Sequence, residues 1–305
     1  MPEVRELASG LQFPEGPVAM PDGSVLLVEI RRGTLTRVGA DGTVEVVADL
    51  GGGPNGAAIG PDGAAYICND GGFAWSEIAD MMLPFDLEHM SNEPPGFEGG
   101  WIERVDLATG ESTELYREYE GHRLNGPNDI VFDRDGSFWF TDFGKTRAHD
   151  MDRGGLYYAQ PDGSSLTRVA HGLYGPNGVG LSPGGDRVWV AESYSGRLFA
   201  WDLDGPGVVR AEEGGLTAGT CVVATKGHFD SLAVEEDGTV VVAAIGDGLC
   251  CCRPDGSYEY VELPDRFTTN VCFGGDDLRT AYATLSGSGT LVAFDWPRPG
   301  LRLAY

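Results

Sequence analysis

The chain has 305 residues and carries 47 acidic against 21 basic side chains, a formal charge of −26. So much negative charge repels a phosphate backbone and excludes nucleic acid as a partner; it reads as a solvated surface, or in part as a cation-binding one. A Gly-rich, Val-rich composition with turn dipeptides throughout argues against a mainly helical chain, because helices tolerate glycine poorly. Residues 1–10 hold charges and no signal-peptide core, and no apolar run approaches a membrane span, so a cytoplasmic protein with no membrane partner is expected. The oligomeric state is left open. Cys68, Cys221, Cys250, Cys251, Cys252 and Cys272 fit neither a disulfide framework nor zinc spacing. They are expected as reduced strand residues, with alternate members of the triplet on opposite sides of one strand.

Turn chemistry lays out the first unit as strands over residues 17–20, 24–29, 34–38 and 44–48, with tight turns at Pro21-Asp22-Gly23 and Ala40-Asp41-Gly42. The first of these turns returns as Pro61-Asp62-Gly63, Arg134-Asp135-Gly136, Pro183-Gly184-Gly185, Glu236-Asp237-Gly238 and Gly274-Gly275-Asp276. Each follows an apolar run that starts from a Glu, Asn or Asp at one register: Glu15, Asn55, Asn128, Asn177, Asp230 and Asn270. The gaps between these six are 40, 73, 49, 53 and 40 residues. A period of about 40 to 50 residues with four strands per unit predicts an all-β, six-bladed β-propeller, one domain over residues 1–305. Residues 4–8 resemble the fourth-strand pattern of residues 166–170, whereas the sixth unit turns to Pro297 and Pro299 without a fourth strand of its own. The N-terminal strand is therefore expected to complete the last blade and remove its free edge. Short helices are allowed only near residues 76–90 and 146–151.

The long second gap is an insertion over residues 69–100, between the second and third strands of the second blade. Phe73, Trp75, Met81, Met82, Phe85 and Phe97 make it too apolar for a solvated linker. By strand direction it stands on the same face as the register residues, where a lid over a pocket would be.

A propeller brings the start of every first strand to the mouth of one channel, so the six register residues are expected as neighbours. One Asn-Gly is an ordinary turn. Two carboxylates and four amides at a single register, with no thiol or imidazole, instead suit a hard divalent cation bound through oxygen.

Phe13-Pro14-Glu15-Gly16-Pro17, Gly126-Pro127-Asn128-Asp129 followed by Phe138-Trp139-Phe140-Thr141-Asp142, Gly175-Pro176-Asn177-Gly178 and Phe229-Asp230-Ser231 resemble the gluconolactonase family, which includes regucalcin (senescence marker protein). The resemblance covers nearly the whole chain. It implies a six-bladed propeller with one divalent metal ion in the channel, calcium first, with magnesium, manganese, zinc or iron(II) as alternatives, and hydrolysis of a small lactone, most often a sugar lactone. By position it makes Glu15, Asn177 and Asp230 metal ligands and gives Asn128 contact with substrate or metal. Members similar to regucalcin tend to carry Arg two residues before this Asn, where this chain has Gly126; Arg123 stands nearby as the replacement. The departure argues away from a regucalcin-like sugar specificity.

The expected chemistry is metal-assisted hydrolysis in which the cation polarises the carbonyl and a water attacks it. Asp230 is the candidate general base as well as a ligand, and Asn128 the second catalytic candidate. A carboxylate bound to a cation is a weakened base, so a carboxylate behind the ring could take the proton instead. Glu29, Asp70, Asp142 and Glu192, at the ends of second strands, are expected chiefly to orient the ligands. Asn55, Asn270, Arg123, Trp75 and His228 complete the candidate substrate contacts, with Phe73, Phe143 and Tyr194 as further apolar wall and His228 as a possible proton shuttle. His122 is read as a surface residue. Hydrolysis of another ester or phosphoester at the same centre, or a non-catalytic ligand-binding propeller stabilised by metal, are the alternative readings.

Overall fold

The computed structural model describes residues 1–79, 81–211 and 219–305. Six antiparallel sheets stand around an axis, and their innermost strands are Pro14–Ala19, Pro54–Ile59, Pro127–Phe132, Pro176–Leu181, His228–Val234 and Thr268–Gly274. Each inner strand packs against the next, and the sixth packs against the first, which closes the ring. This is the six-bladed propeller that the spacing predicts.

Burial explains the sequence pattern within a blade. Second strands lie between two neighbouring blades and read as continuous apolar runs, as in Val25–Glu29, where all five residues are buried. Outermost strands such as Val44–Asp49 are mostly exposed and mix charge with valine. The Pro-Asp-Gly turns work by two bonds: Gly23 N donates to Met20 O at 3.0 Å, and Asp22 Oδ1 accepts from Ser24 N at 3.0 Å. Gly23 sits at φ 82°, where a side chain would be strained.

The last blade is completed by the N-terminal strand Arg5–Ala8, which lies antiparallel to Thr290–Asp295 with Arg5 opposite Ala293 and Glu6 opposite Val292. Beyond it, Trp296 Nε1 donates to the fully buried Glu235 at 2.6 Å, and Arg298 pairs with the same carboxylate, so blade 6 is fastened to blade 5 as well. Cys250 and Cys252 face one hydrophobic cluster and Cys251 another, and the described cysteines are free thiols.

Among the described residues, neither segment open to a short helix forms one. Residues 76–90 hold a small hairpin, Ser76–Ile78 with Met81–Leu83, and residues 146–151 form a turn closed by a Thr146–Met151 bridge. In the first, Pro84 and the loop-forming Asp86, whose carboxylate accepts from Glu88 N and His89 N, oppose a continuous helix. Among the described residues no helix is long and apolar enough to cross a membrane.

Candidate metal centre

The inner strands carry one shared irregularity. Pairing with the second strand skips from Glu15 to Val18, Pro54 to Ala57, Pro127 to Ile130, Pro176 to Val179, Phe229 to Leu232 and Thr268 to Asn270. Such a break bends a strand and re-aims its side chains, and here it falls at or beside the register residue in every blade. In blades 1, 2 and 4 the strands also approach too closely for a side chain at the next position: a Cβ on Gly16 would stand 2.6 Å from Asn55 O, on Gly56 2.4 Å from Asn128 O and on Gly178 2.6 Å from Leu232 N.

The re-aimed side chains meet across blades. Asn270 Nδ2 donates to Glu15 Oε2 at 2.8 Å, and Gly16 N reaches the same oxygen at 2.8 Å. Asn177 Oδ1 accepts from Ser231 Oγ at 3.2 Å, and its Nδ2 donates to Ser193 Oγ at 3.2 Å. Asn55 Nδ2 donates to Asp70 Oδ2 at 3.2 Å. Glu15, Asn55, Asn128, Asn177 and Asn270 are buried, while Asp230 is partly exposed.

Burial raises the Glu15 carboxyl to about 7, against hydrogen bonds from Asn270 and Gly16 that lower it. Burial first, and then the Glu15 charge, push Asp230 well above the ordinary carboxyl range. The spacing analysis passed over a third acid. Asp129 follows Asn128, is buried, accepts from Val179 N at 3.1 Å and Ile130 N at 2.9 Å, and is lifted to about 8 by burial, with the Glu15 charge adding to the rise. Its place after an Asn makes it look like half of a turn dipeptide, and only the strand break turns it inward.

The second-strand residues form a repeated brace. Glu29 accepts from Gln12 N at 2.7 Å, Asp142 from Asn125 N at 3.1 Å, and Glu192 from Tyr174 N at 2.7 Å. Each donor lies three residues before a register residue, so each carboxylate fixes the loop that delivers it. Burial raises Asp142 to about 6. In blade 2 the corresponding strand end is Asn69, not Asp70, and its Oδ1 takes Gly53 N at 2.8 Å.

Asp70 has another partner, which the sequence did not single out. Lys145 is fully buried, with Nζ 2.7 Å from Gly72 O and 3.5 Å from Asp70 Oδ1, and it lies over the rings of Phe73 at 4.2 Å and Phe97 at 5.0 Å. Desolvation lowers its pKa. A single lysine in a loop has no period to betray it.

The insertion makes several contacts close to the register residues. Trp75 meets Phe13 edge-on at 5.2 Å, two residues before Glu15. Asn92 N donates to Thr146 O at 3.0 Å and Asn92 Oδ1 accepts from Thr146 N at 2.7 Å, which joins the insertion to the loop after Asp142. Tyr194 and Phe143 pack together over Gly175. Arg123 is exposed and engaged by Asn125 at 3.0 Å and by the Phe97 face at 5.1 Å. His228 is exposed, its Nδ1 3.2 Å from Ser193 O, and His122 is exposed on a short hairpin. On the other side of the ring a cavity of about 930 Å³ touches Gly16, Asp129 and Asn270 and runs down between apolar inner-strand residues to the C-terminal residues 301–305.

The donor set fits a hard cation. Asn128 Oδ1 is buried without a hydrogen-bond partner, an unusual state for an acceptor. It belongs to the register of Glu15, whose charge raises Asp230 and Asp129, and the register side chains offer oxygen and amide nitrogen only. Among the described residues no three His, Cys, Asp or Glu side chains form a metal-holding group. A cation here would therefore rest on Glu15 and Asp230 with amide oxygens completing its shell.

Residues 13–287 match the family described as "SMP-30/Gluconolactonase/LRE-like region". A gluconolactonase from Zymomonas mobilis is 26% identical over 309 aligned residues, 89% of this chain and 76% of that protein. Lactonase drp35 from Staphylococcus haemolyticus is 36% identical over 124 residues, 40% of this chain and 36% of that protein. Among solved structures, a gluconolactonase from Xanthomonas campestris superposes with TM-score 0.74 at 23% identity, covering 96% of this chain and 89% of the other. The calcium-binding protein regucalcin from Agrobacterium tumefaciens superposes with TM-score 0.73 at 20% identity, covering 99% and 98%. At these identities the superpositions speak for the fold. The family match spans nearly the whole chain, and the protein belongs to the SMP-30/gluconolactonase/LRE-like family.

Proposed function

We propose that the protein hydrolyses a small-molecule lactone to its hydroxy acid with one divalent cation held by Glu15, Asn128, Asn177 and Asp230, calcium being the first candidate. The unpaired Asn128 Oδ1, at the same register as Glu15 and Asp230, whose charges burial disfavours, supports this most directly, and the gluconolactonase and lactonase relatives give the substrate class. When bound, a divalent cation polarises a carbonyl oxygen and stabilises the charge that develops on it. The chain's own residues do the rest. Asn177 is held between Ser193 and Ser231 and Glu15 by Asn270 and Gly16, so these donors keep their places without reorganisation. Asn128 directs a free amide oxygen into the ring. Asp230 is partly exposed, and burial together with the Glu15 charge raises it above the ordinary carboxyl range, which suits it to accept a proton from the attacking water. Glu29, Asp142 and Glu192 hold the delivering loops, and Trp75 with the insertion covers the mouth against bulk water.

The test is base-uptake titration with glucono-δ-lactone and with unsubstituted and alkyl δ-lactones, on chelator-treated protein and after re-addition of calcium, magnesium, manganese, zinc or iron(II). Hydrolysis of at least one lactone that vanishes with chelation and returns with a cation is expected. Turnover indifferent to chelation, or cation binding without turnover of any lactone, would contradict the proposal.

A further inference from the structure

Phe13 occupies a backbone conformation that its residue type disfavours. Its φ is 58°, in the left-handed region that a bulky side chain enters rarely. Pro14 follows it, and a residue before proline is normally driven to extended backbone. The chain's own repeat shows how this position is otherwise filled. Two residues before the register residue, blades 2, 3 and 4 carry Gly53, Gly126 and Gly175, and Gly175 has φ 64°, nearly the Phe13 value. In blade 4 the rings of Tyr194 and Phe143 fill the space where a side chain at Gly175 would stand, at 2.7 and 3.0 Å from the Cβ position. In blade 1 the ring belongs to the strained residue itself.

That ring connects the insertion to the centre. Phe13 is buried, meets Trp75 edge-on at 5.2 Å and Phe267 at 6.4 Å, and Trp75 meets Phe73 at 6.2 Å. Phe73 covers the Lys145 ammonium, which reaches Asp70, which accepts from Asn55. A continuous set of contacts thus runs from blade 6 through Phe13 and the insertion to the ring amide of blade 2. Strain of this kind persists where packing over-determines it, and here the packing partner is Trp75 and the next ring-forming residue along the chain is Glu15.

We propose that Phe13 is a positioning residue for the cation centre: its contact with Trp75 holds the Pro14-Glu15 segment in register, so that this one contact sets how well Glu15 can bind a cation. This rests on the proposed cation role of Glu15. The experiment is calorimetric titration of chelator-treated protein with whichever of calcium, magnesium and manganese the wild type binds most tightly, across Phe13→Gly, Phe13→Tyr, Trp75→Ala and the Phe13→Gly/Trp75→Ala pair. Phe13→Gly accepts the backbone but removes the ring, and it should weaken binding about tenfold, the lower end for residues that support ligands. Phe13→Tyr keeps the ring and should bind as the wild type does. Trp75→Ala, which touches none of the four ligands, should also weaken binding, and the pair should be no weaker than Phe13→Gly alone, since both remove one contact. A role confined to packing would lower the melting temperature of cation-free Phe13→Gly and leave its cation affinity within about twofold of wild type, and that result overturns the inference. If Phe13→Gly does not fold, unchanged affinity in Trp75→Ala overturns it instead. A wild type that binds none of the three cations overturns this inference, and one that binds neither these nor zinc nor iron(II) overturns the function on which it rests as well, whereas tight wild-type binding with unaffected variants overturns this inference alone.

Discussion

Glu15, Asp129 and Asp230 share a centre in which burial disfavours each charge and the Glu15 charge raises both of the others. Their folded values lie above those of an unfolded chain, so the neutral forms favour folding below about pH 4, and that contribution is lost as pH rises through the folded values. With Asp142 at about 6, Glu15 at about 7 and Asp129 at about 8, the loss begins near pH 4 and is complete near pH 8. The melting temperature of chelator-treated protein should therefore fall between about pH 4 and 8, and a saturating divalent cation should flatten the decline by favouring the ionised carboxylates. A flat or rising profile in chelator would show that these acids are not coupled as described. The register itself was legible because six copies of one residue class recur at propeller spacing. Asp129, Lys145 and Phe13 were not, for separate physical reasons. Asp129 depends on a local strand break, Lys145 on a loop folding back over an insertion, and Phe13 on a dihedral angle that residue identity does not announce.

At the scale of elements, the N-terminal strand and the insertion do different work. Arg5–Ala8 covers an edge that Thr290–Asp295 would otherwise present to solvent. Deleting residues 1–9 should lower the melting temperature by at least about 5 °C, measured by circular dichroism, because the last blade loses a strand and its packing on Leu291 and Val25; an unchanged transition would contradict ring closure by this strand. The insertion bears on the mouth through the paired Asn92 and Thr146 contacts and through Trp75. Removing residues 76–94 leaves Trp75 and all four ligands, so it should change KM ratios across a lactone panel more than it changes cation affinity. A large loss of cation affinity with unchanged KM ratios would make the insertion part of the centre rather than a cover. Strand order and closure could be read from turn chemistry and alternation. The hairpin at residues 76–83 could not, since its short apolar run fits helix and strand periods alike.

Over the whole molecule, the chain concentrates two kinds of negative charge. Most of the formal −26 is surface acid, which keeps the protein away from polyanions and favours solubility. Three carboxylates instead sit beside the strand breaks of the inner strands, Glu15 and Asp230 at the register and Asp129 next to it. The propeller supplies the convergence; the residue types at the register supply the chemistry. The direct test pairs calorimetric cation titration with lactone turnover in wild type, Glu15→Gln and Asp230→Asn. Wild type should bind one cation per chain and hydrolyse a lactone only when loaded. Both variants should keep the fold while losing about 100-fold or more in cation affinity and in kcat/KM together, as expected when a ligand is lost from a centre of this kind. Retention of both cation content and turnover in either variant would show that Glu15 and Asp230 are not the centre of this protein's activity.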